Sequence, residues 1–232
     1  DNVAIGFEAL DANTTGVYNT AIGVTALGAN TTANGNVAIG YQSLLTSTTA
    51  SYNVGIGYSA LNLLQTGDRN ISIGPWSMDT ATSGNDNIAL GAYALTASTT
   101  ASDNTAIGSY ALYANTTGTN NVAVGNSSLI SNTTGDYNTA IGKSALRSNT
   151  TGHSNTGLGF ASLEYNTTGI QNVAVGHSAL EYNTTGDYNT AIGTDSLKVN
   201  TTGYENTGTG KSALEANTTG YKNAGFGNQA LE

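Results

Sequence analysis

The sequence has no cysteine, a single proline (Pro75), and only 9% charged residues. Without cysteine there is neither a disulfide framework nor thiolate chemistry. Six Lys and Arg stand against fifteen Asp and Glu, a net charge of −9. No basic stripe exists to neutralise phosphates, which argues against nucleic acid and against an anionic membrane surface as partners. No apolar run reaches the ~20 residues that cross a bilayer, so no membrane insertion is expected of this segment. So little charge, and so few lysines, suit a stacked sheet better than a solvated helical bundle.

What the chain has instead is a frame. Fourteen glycines, from Gly6 to Gly227, recur every 17 residues with no insertion or deletion. A unit that short cannot fold alone, and a period held that strictly marks coils that dock on one another. Each coil can be numbered from its Asn, so that Asn138-Thr139-Ala140-Ile141-Gly142 fills positions one to five. Position one is then always Asn, from Asn2 to Asn223. Position three is always Ala, Gly or Ser; position four is apolar except for Thr209; position eight is Ala or Ser; position nine is Leu except for Met78. Most coils close with Asn-Thr-Thr-Gly, as at Asn149-Thr150-Thr151-Gly152, which is turn chemistry.

Apolar positions four and nine are five apart, and the next pair is twelve away, so no helical period survives. The expected fold is all-β: a parallel β-solenoid of about fourteen 17-residue coils, forming one tandem-repeat domain over residues 1–232. Two short parallel strands per coil are expected, the second holding position nine. Alternation in a strand puts positions two and four on one face, and Asn, the small residue and Gly on the other. The Asn column is expected to point inward and stack its amides into an axial ladder. Position four and position nine, the two large apolar columns, are expected to form the core. The small columns imply close approach of another backbone, either the opposite wall of a flat coil or a neighbouring chain. The strand pattern is intact at Asp1 and Glu232, which reads as a window of a longer array whose ends template further copies.

Asn-(Thr/Val)-Ala-Ile-Gly followed by Ala-Leu, as in Asn19-Thr20-Ala21-Ile22-Gly23 and Asn36-Val37-Ala38-Ile39-Gly40, resembles the head repeats of YadA-type trimeric autotransporter adhesins. It is also similar to Asn-Thr-Ala-Ile-Gly arrays in phage tail-fibre-like and related bacterial surface proteins. The resemblance spans the whole chain. It implies a left-handed β-roll, often trimeric, on an extracellular or cell-surface fibre or a virion fibre. The expected function is a structural fibre segment that self-associates as a homotrimer or an end-to-end filament, without catalysis or cofactor.

Several constellations compete with that reading. His153 and His177 lie in different variable columns and lack a second ligand at metal-binding spacing. Glu164 and Glu181 stand one coil apart at position ten, at the separation of a retaining glycosidase pair. Lys198 and Glu215 continue that column, however, and an alternating charged edge explains it better. Asp86 and Asp103 pair similarly at position seventeen. Thr columns at positions thirteen and fourteen raise an ice-binding alternative, although adjacent residues point apart and only one column can face out. Asn-Thr-Thr is also a glycosylation sequon, at Asn13, Asn30, Asn115, Asn132, Asn149, Asn166, Asn183, Asn200 and Asn217; Asn70 and Asn126 add two more. Finally, Trp76, Tyr93 and Tyr110 occupy position seven of successive coils. They are candidates for contact with a surface carbohydrate, or for stacking on one another.

Overall fold

The structure is a computed structural model and describes residues 1–231. The chain is all-β, a parallel β-solenoid with one three-residue strand in each 17-residue coil. It divides into two compact units, Asp1–Thr119 and Asn120–Glu232. The first unit holds β1 (Val3–Ile5), β2 (Thr20–Ile22), β3 (Val37–Ile39), β4 (Val54–Ile56), β5 (Ile71–Ile73), β6 (Ile88–Leu90) and β7 (Thr105–Ile107). The second holds β8 (Val122–Val124), β9 (Thr139–Ile141), β10 (Thr156–Leu158), β11 (Val173–Val175), β12 (Thr190–Ile192), β13 (Thr207–Thr209) and β14 (Ala224–Phe226). Within each unit every strand pairs in parallel with the next, and like positions face each other: Thr139 with Thr156, Ala140 with Gly157, Ile141 with Leu158. The 17-residue frame is thus a register, and one residue inserted in a coil would disturb the pairing of that coil with its neighbour.

The expected second strand is not formed among the described residues. Position nine lies in a turn, with Leu146 at φ 51° and Ser144, at position seven, at φ 60°. Alternating left-handed residues coil the chain too tightly for an extended segment. Leucine rarely adopts this conformation, and a structure holds it only where the surroundings over-determine it. Here the Leu146 amide donates to the Ser162 carbonyl of the next coil at 2.9 Å, and its side chain is fully buried. Coil-to-coil hydrogen bonding therefore continues outside the strands. Thr139 N donates to Asn155 O at 2.8 Å, Gly142 N to Val124 O at 2.8 Å, and Thr150 N to Thr167 O at 2.9 Å.

The core differs from expectation in one column. Leu112, Leu146 and Leu180 at position nine are fully buried, as expected. Position four is not part of the core: Ile107, Ile141, Leu158 and Ile192 are 37–43% exposed. The reason is parity. Positions one and four lie on opposite faces of a strand, so Asn and Ile cannot both point inward. The coil is narrow, and the space opposite Leu at position nine admits only small residues. A Cβ added to Gly55, at position three, would meet Ser43 Oγ, Ala60 O and the Leu44 side chain. Ala at position three fills that space without clash and is fully buried, as at Ala123, Ala140 and Ala174.

The Asn column does point inward. Asn138 is fully buried; its amide nitrogen Nδ2 donates to Asn121 Oδ1 at 3.2 Å and to the Gly152 carbonyl at 2.9 Å. Its Oδ1 accepts from Asn155 N at 3.0 Å and Asn155 Nδ2 at 3.2 Å. The glycine frame has its own cause. Gly142 sits at φ 136°, and a Cβ there would strike the Gly159 carbonyl of the next coil. The backbone that approaches this small position is the same chain one coil on.

Candidate functional surfaces

A second interior ladder runs through position twelve, the Asn of the sequons. Asn149 Nδ2 donates to Asn132 Oδ1 at 2.8 Å and to Gly152 O at 2.9 Å, and Asn166 Nδ2 donates to Asn149 Oδ1 at 2.9 Å. Asn30, Asn115, Asn132, Asn149, Asn166, Asn183 and Asn200 are fully buried, while Asn13 and Asn217 are half-buried near the ends of the array. Glycan attachment uses this same Nδ2, which the fold encloses and commits to two acceptors. The sequon edge is therefore interior in the folded chain. Asn70 is buried at position one, and Asn126 alone of the eleven sequon residues is exposed.

The position-twelve ladder is interrupted in the first unit. Ser47, Leu64, Ala81 and Ser98 replace Asn in four successive coils, all buried. Asn30 Oδ1 and Ser98 Oγ, at the two borders of the gap, are buried without a hydrogen-bond partner. Over the same coils the outside carries rings. Trp76, Tyr93 and Tyr110 stack at centroid distances of 5.1 Å with planes 9° apart. The stack is longer than the position-seven column. Tyr41 and Tyr58, at position six, stack at 5.1 Å, and Tyr58 meets Trp76 at 5.2 Å. Tyr113 meets Tyr110 at 5.7 Å. Reading one column at a time hid Tyr41 and Tyr58, because the ladder changes column where Pro75 occupies position six.

Carbohydrate stacks on the face of a ring. Tyr93 has a parallel ring on both faces, while Trp76 and Tyr110 each have one parallel neighbour, Tyr93, and a tilted one, Tyr58 at 51° and Tyr113 at 59°. In the second unit the stacks are pairs, so each ring has one neighbour: Tyr165 and Tyr182 stack at 5.2 Å, Tyr204 and Tyr221 at 5.1 Å, and Phe160 with His177 at 5.2 Å.

The charged columns pair with themselves. Arg147 contacts Glu164 at 3.5 Å, and Lys198 contacts Glu181 at 3.8 Å and Asp195 at 2.9 Å. The Asp195 hydrogen bond raises the Lys198 pKa. Asp86 is held by Arg69 in a two-pronged pair, both contacts 2.7 Å, and this bond keeps its carboxyl below the usual range. His153 is exposed beside Ser154, and no cluster of three His, Asp or Glu able to hold a metal occurs among the described residues. Of the two Thr columns, position fourteen faces out, as at Thr134, Thr151 and Thr168. Position thirteen turns its hydroxyl along the axis, as where Thr150 Oγ1 donates to Thr167 O at 3.0 Å.

The remaining surface is the outer face of the strands. Positions two and four carry Val, Ile, Leu, Thr, Ala or Phe in every coil and no charge. This face is most apolar from β3 to β6, where Val37, Val54, Ile71 and Ile88 stand beside Ile39, Ile56, Ile73 and Leu90. In the second unit position two is mostly Thr.

The geometry thus defines a parallel β-solenoid with two interior amide ladders and an uncharged outer sheet. No family model, curated protein or solved structure matches the chain. No helix among the described residues is long and apolar enough to cross a membrane.

Proposed function

We propose that this chain is a structural segment of an extracellular fibre, adhesin- or tail-fibre-like, which associates with copies of itself and carries no catalysis. The observation that supports this most is axial bonding around the coil. In the second unit, strand, glycine corner, Leu turn and Thr turn all donate or accept along the axis, at Thr139, Gly142, Leu146 and Thr150. The Asn138 and Asn149 side chains add two further lines of bonds inside. Pulling adjacent coils apart breaks all of these together, which is what a fibre segment under tension requires.

The two binding alternatives gain less from the structure. Stacking covers both faces of Tyr93 and one face each of Trp76 and Tyr110. Of the two Thr rows in the turn, one faces out while its neighbour at position thirteen is half-buried and bonded along the axis, as at Thr150. Immunogold electron microscopy of the intact source, with antibody to this chain, tests the fibre reading. Label along surface filaments is expected; label confined to the interior would overturn it.

A further inference from the structure

We propose that the outer strand face of the first unit, centred on β3 to β6, is a docking surface for the same face of a second copy of this chain. The inference rests on the fibre reading and gives its self-association a location. Three observations carry it.

The first is composition. Val37, Ile39, Ile71 and Ile73 belong to columns with no charge, in a chain of net charge −9. Two copies repel one another through their excess of carboxylates, and contact through this face brings none of those carboxylates together. Ile71 and Ile73 are 36% and 40% exposed, and Tyr58 and Trp76 just past the glycine corner are 47% and 37% exposed. Such a concentration of large apolar side chains in neighbouring coils is what an interaction patch looks like.

The second is pitch. Strands in register present ridges at the strand spacing, ~4.8 Å. A partner surface fills the grooves at every coil only when its ridges have the same spacing, and a second copy has it by construction. Sheets packed face to face interdigitate in this way across about 10 Å. A partner of different period would fall out of step within a few coils.

The third is extent. Seven strands span roughly 34 Å, and the strand with the adjoining ring column covers about 17 Å of chain. Each copy therefore offers on the order of 500 Å², and a pair buries on the order of 1,000 Å², at the lower bound for a specific interface. Association is accordingly reversible and concentration-dependent.

The test is sedimentation velocity of the full chain over a wide concentration range, with three variants. Ile71→Lys with Ile73→Lys places two cations on the proposed face. Thr190→Lys with Ile192→Lys makes the same charge change on β12 of the second unit. Ile71→Thr with Ile73→Thr uses side chains that Thr207 and Thr209 show these columns accept, so it guards against loss of fold, and circular dichroism checks all three. The first variant should raise the concentration for half-association by at least about tenfold. The Thr variant should have a smaller effect in the same direction, and the β12 variant little.

A wild-type chain that stays at 23.4 kDa throughout would overturn the docking surface while leaving the electron-microscopic test of the fibre untouched. Association that both first-unit variants leave unchanged, or that the β12 variant weakens equally, would show that copies meet elsewhere.

Discussion

A primary amide offers two donors and a carbonyl with two lone pairs, and Asn138 uses all four within a fully buried site. No other side chain of that size does this, which is why position one never varies. Replacing Asn138 by Ala should cost about 1–3 kcal/mol, because Asn155 and Gly152 lose partners they cannot replace inside the coil; urea denaturation of the full chain measures it. Asn149→Ala should cost a similar amount, since its amide is equally committed. Gly142→Ala should do more damage than either. It places a Cβ at φ 136° and against the next coil's carbonyl. A loss of at least about 3 kcal/mol, or failure to fold, is expected.

At the scale of the coil, the aromatic ladder lies over the stretch where the inner Asn ladder fails. Each stack is worth about 0.5–1.5 kcal/mol beyond its area, comparable with the hydrogen bonds lost at Ser47, Leu64, Ala81 and Ser98. Tyr93 has two stacking neighbours and Tyr165 one. Tyr93→Ala should therefore destabilise by about 1–3 kcal/mol and Tyr165→Ala by about half that, read from denaturation midpoints. The Arg69–Asp86 pair adds stability at pH values above the unfolded carboxyl's ordinary pKa. That stability is lost as pH falls through the lowered folded value. Both groups are exposed, so Asp86→Asn should shift the melting temperature little, and less still in high salt.

The columns were legible in the sequence because each one answers to a single local requirement. Gly142 and its equivalents announce a backbone contact, and Leu146 announces a buried site. The direction of a column was harder to read. Ile141 is as apolar as Leu146, and hydropathy alone placed both inside; the parity between Asn138 and Ile141 decided against it. The second strand failed for a related reason: nothing in Lys143 to Leu146 signals that two side chains will adopt left-handed backbone.

Within each unit, stability is a sum of coils and of their shared interfaces. That makes the interior amides the most general feature of the fold: with the chain coiled this narrowly, a polar lattice replaces the large apolar core of a globular domain. It also explains how one sequence motif serves two ends. Asn-Thr-Thr-Gly is read by sequence as an exposed turn and a modification signal, yet the Asn belongs to the interior and only the second Thr faces water. The single-column ring pattern misled in the same way, since a ladder can step sideways at Pro75 and remain continuous in space.

Hydrogen exchange of the asparagine side-chain amides tests the account most directly, because one NMR experiment reports both ladders. The Nδ2 protons of Asn138 and Asn149 should exchange far more slowly than those of exposed Asn126, at rates limited by opening of the coil. Exchange of Asn138 and Asn149 at the rate of Asn126 would mean that the amides face solvent and that the interior described here does not exist.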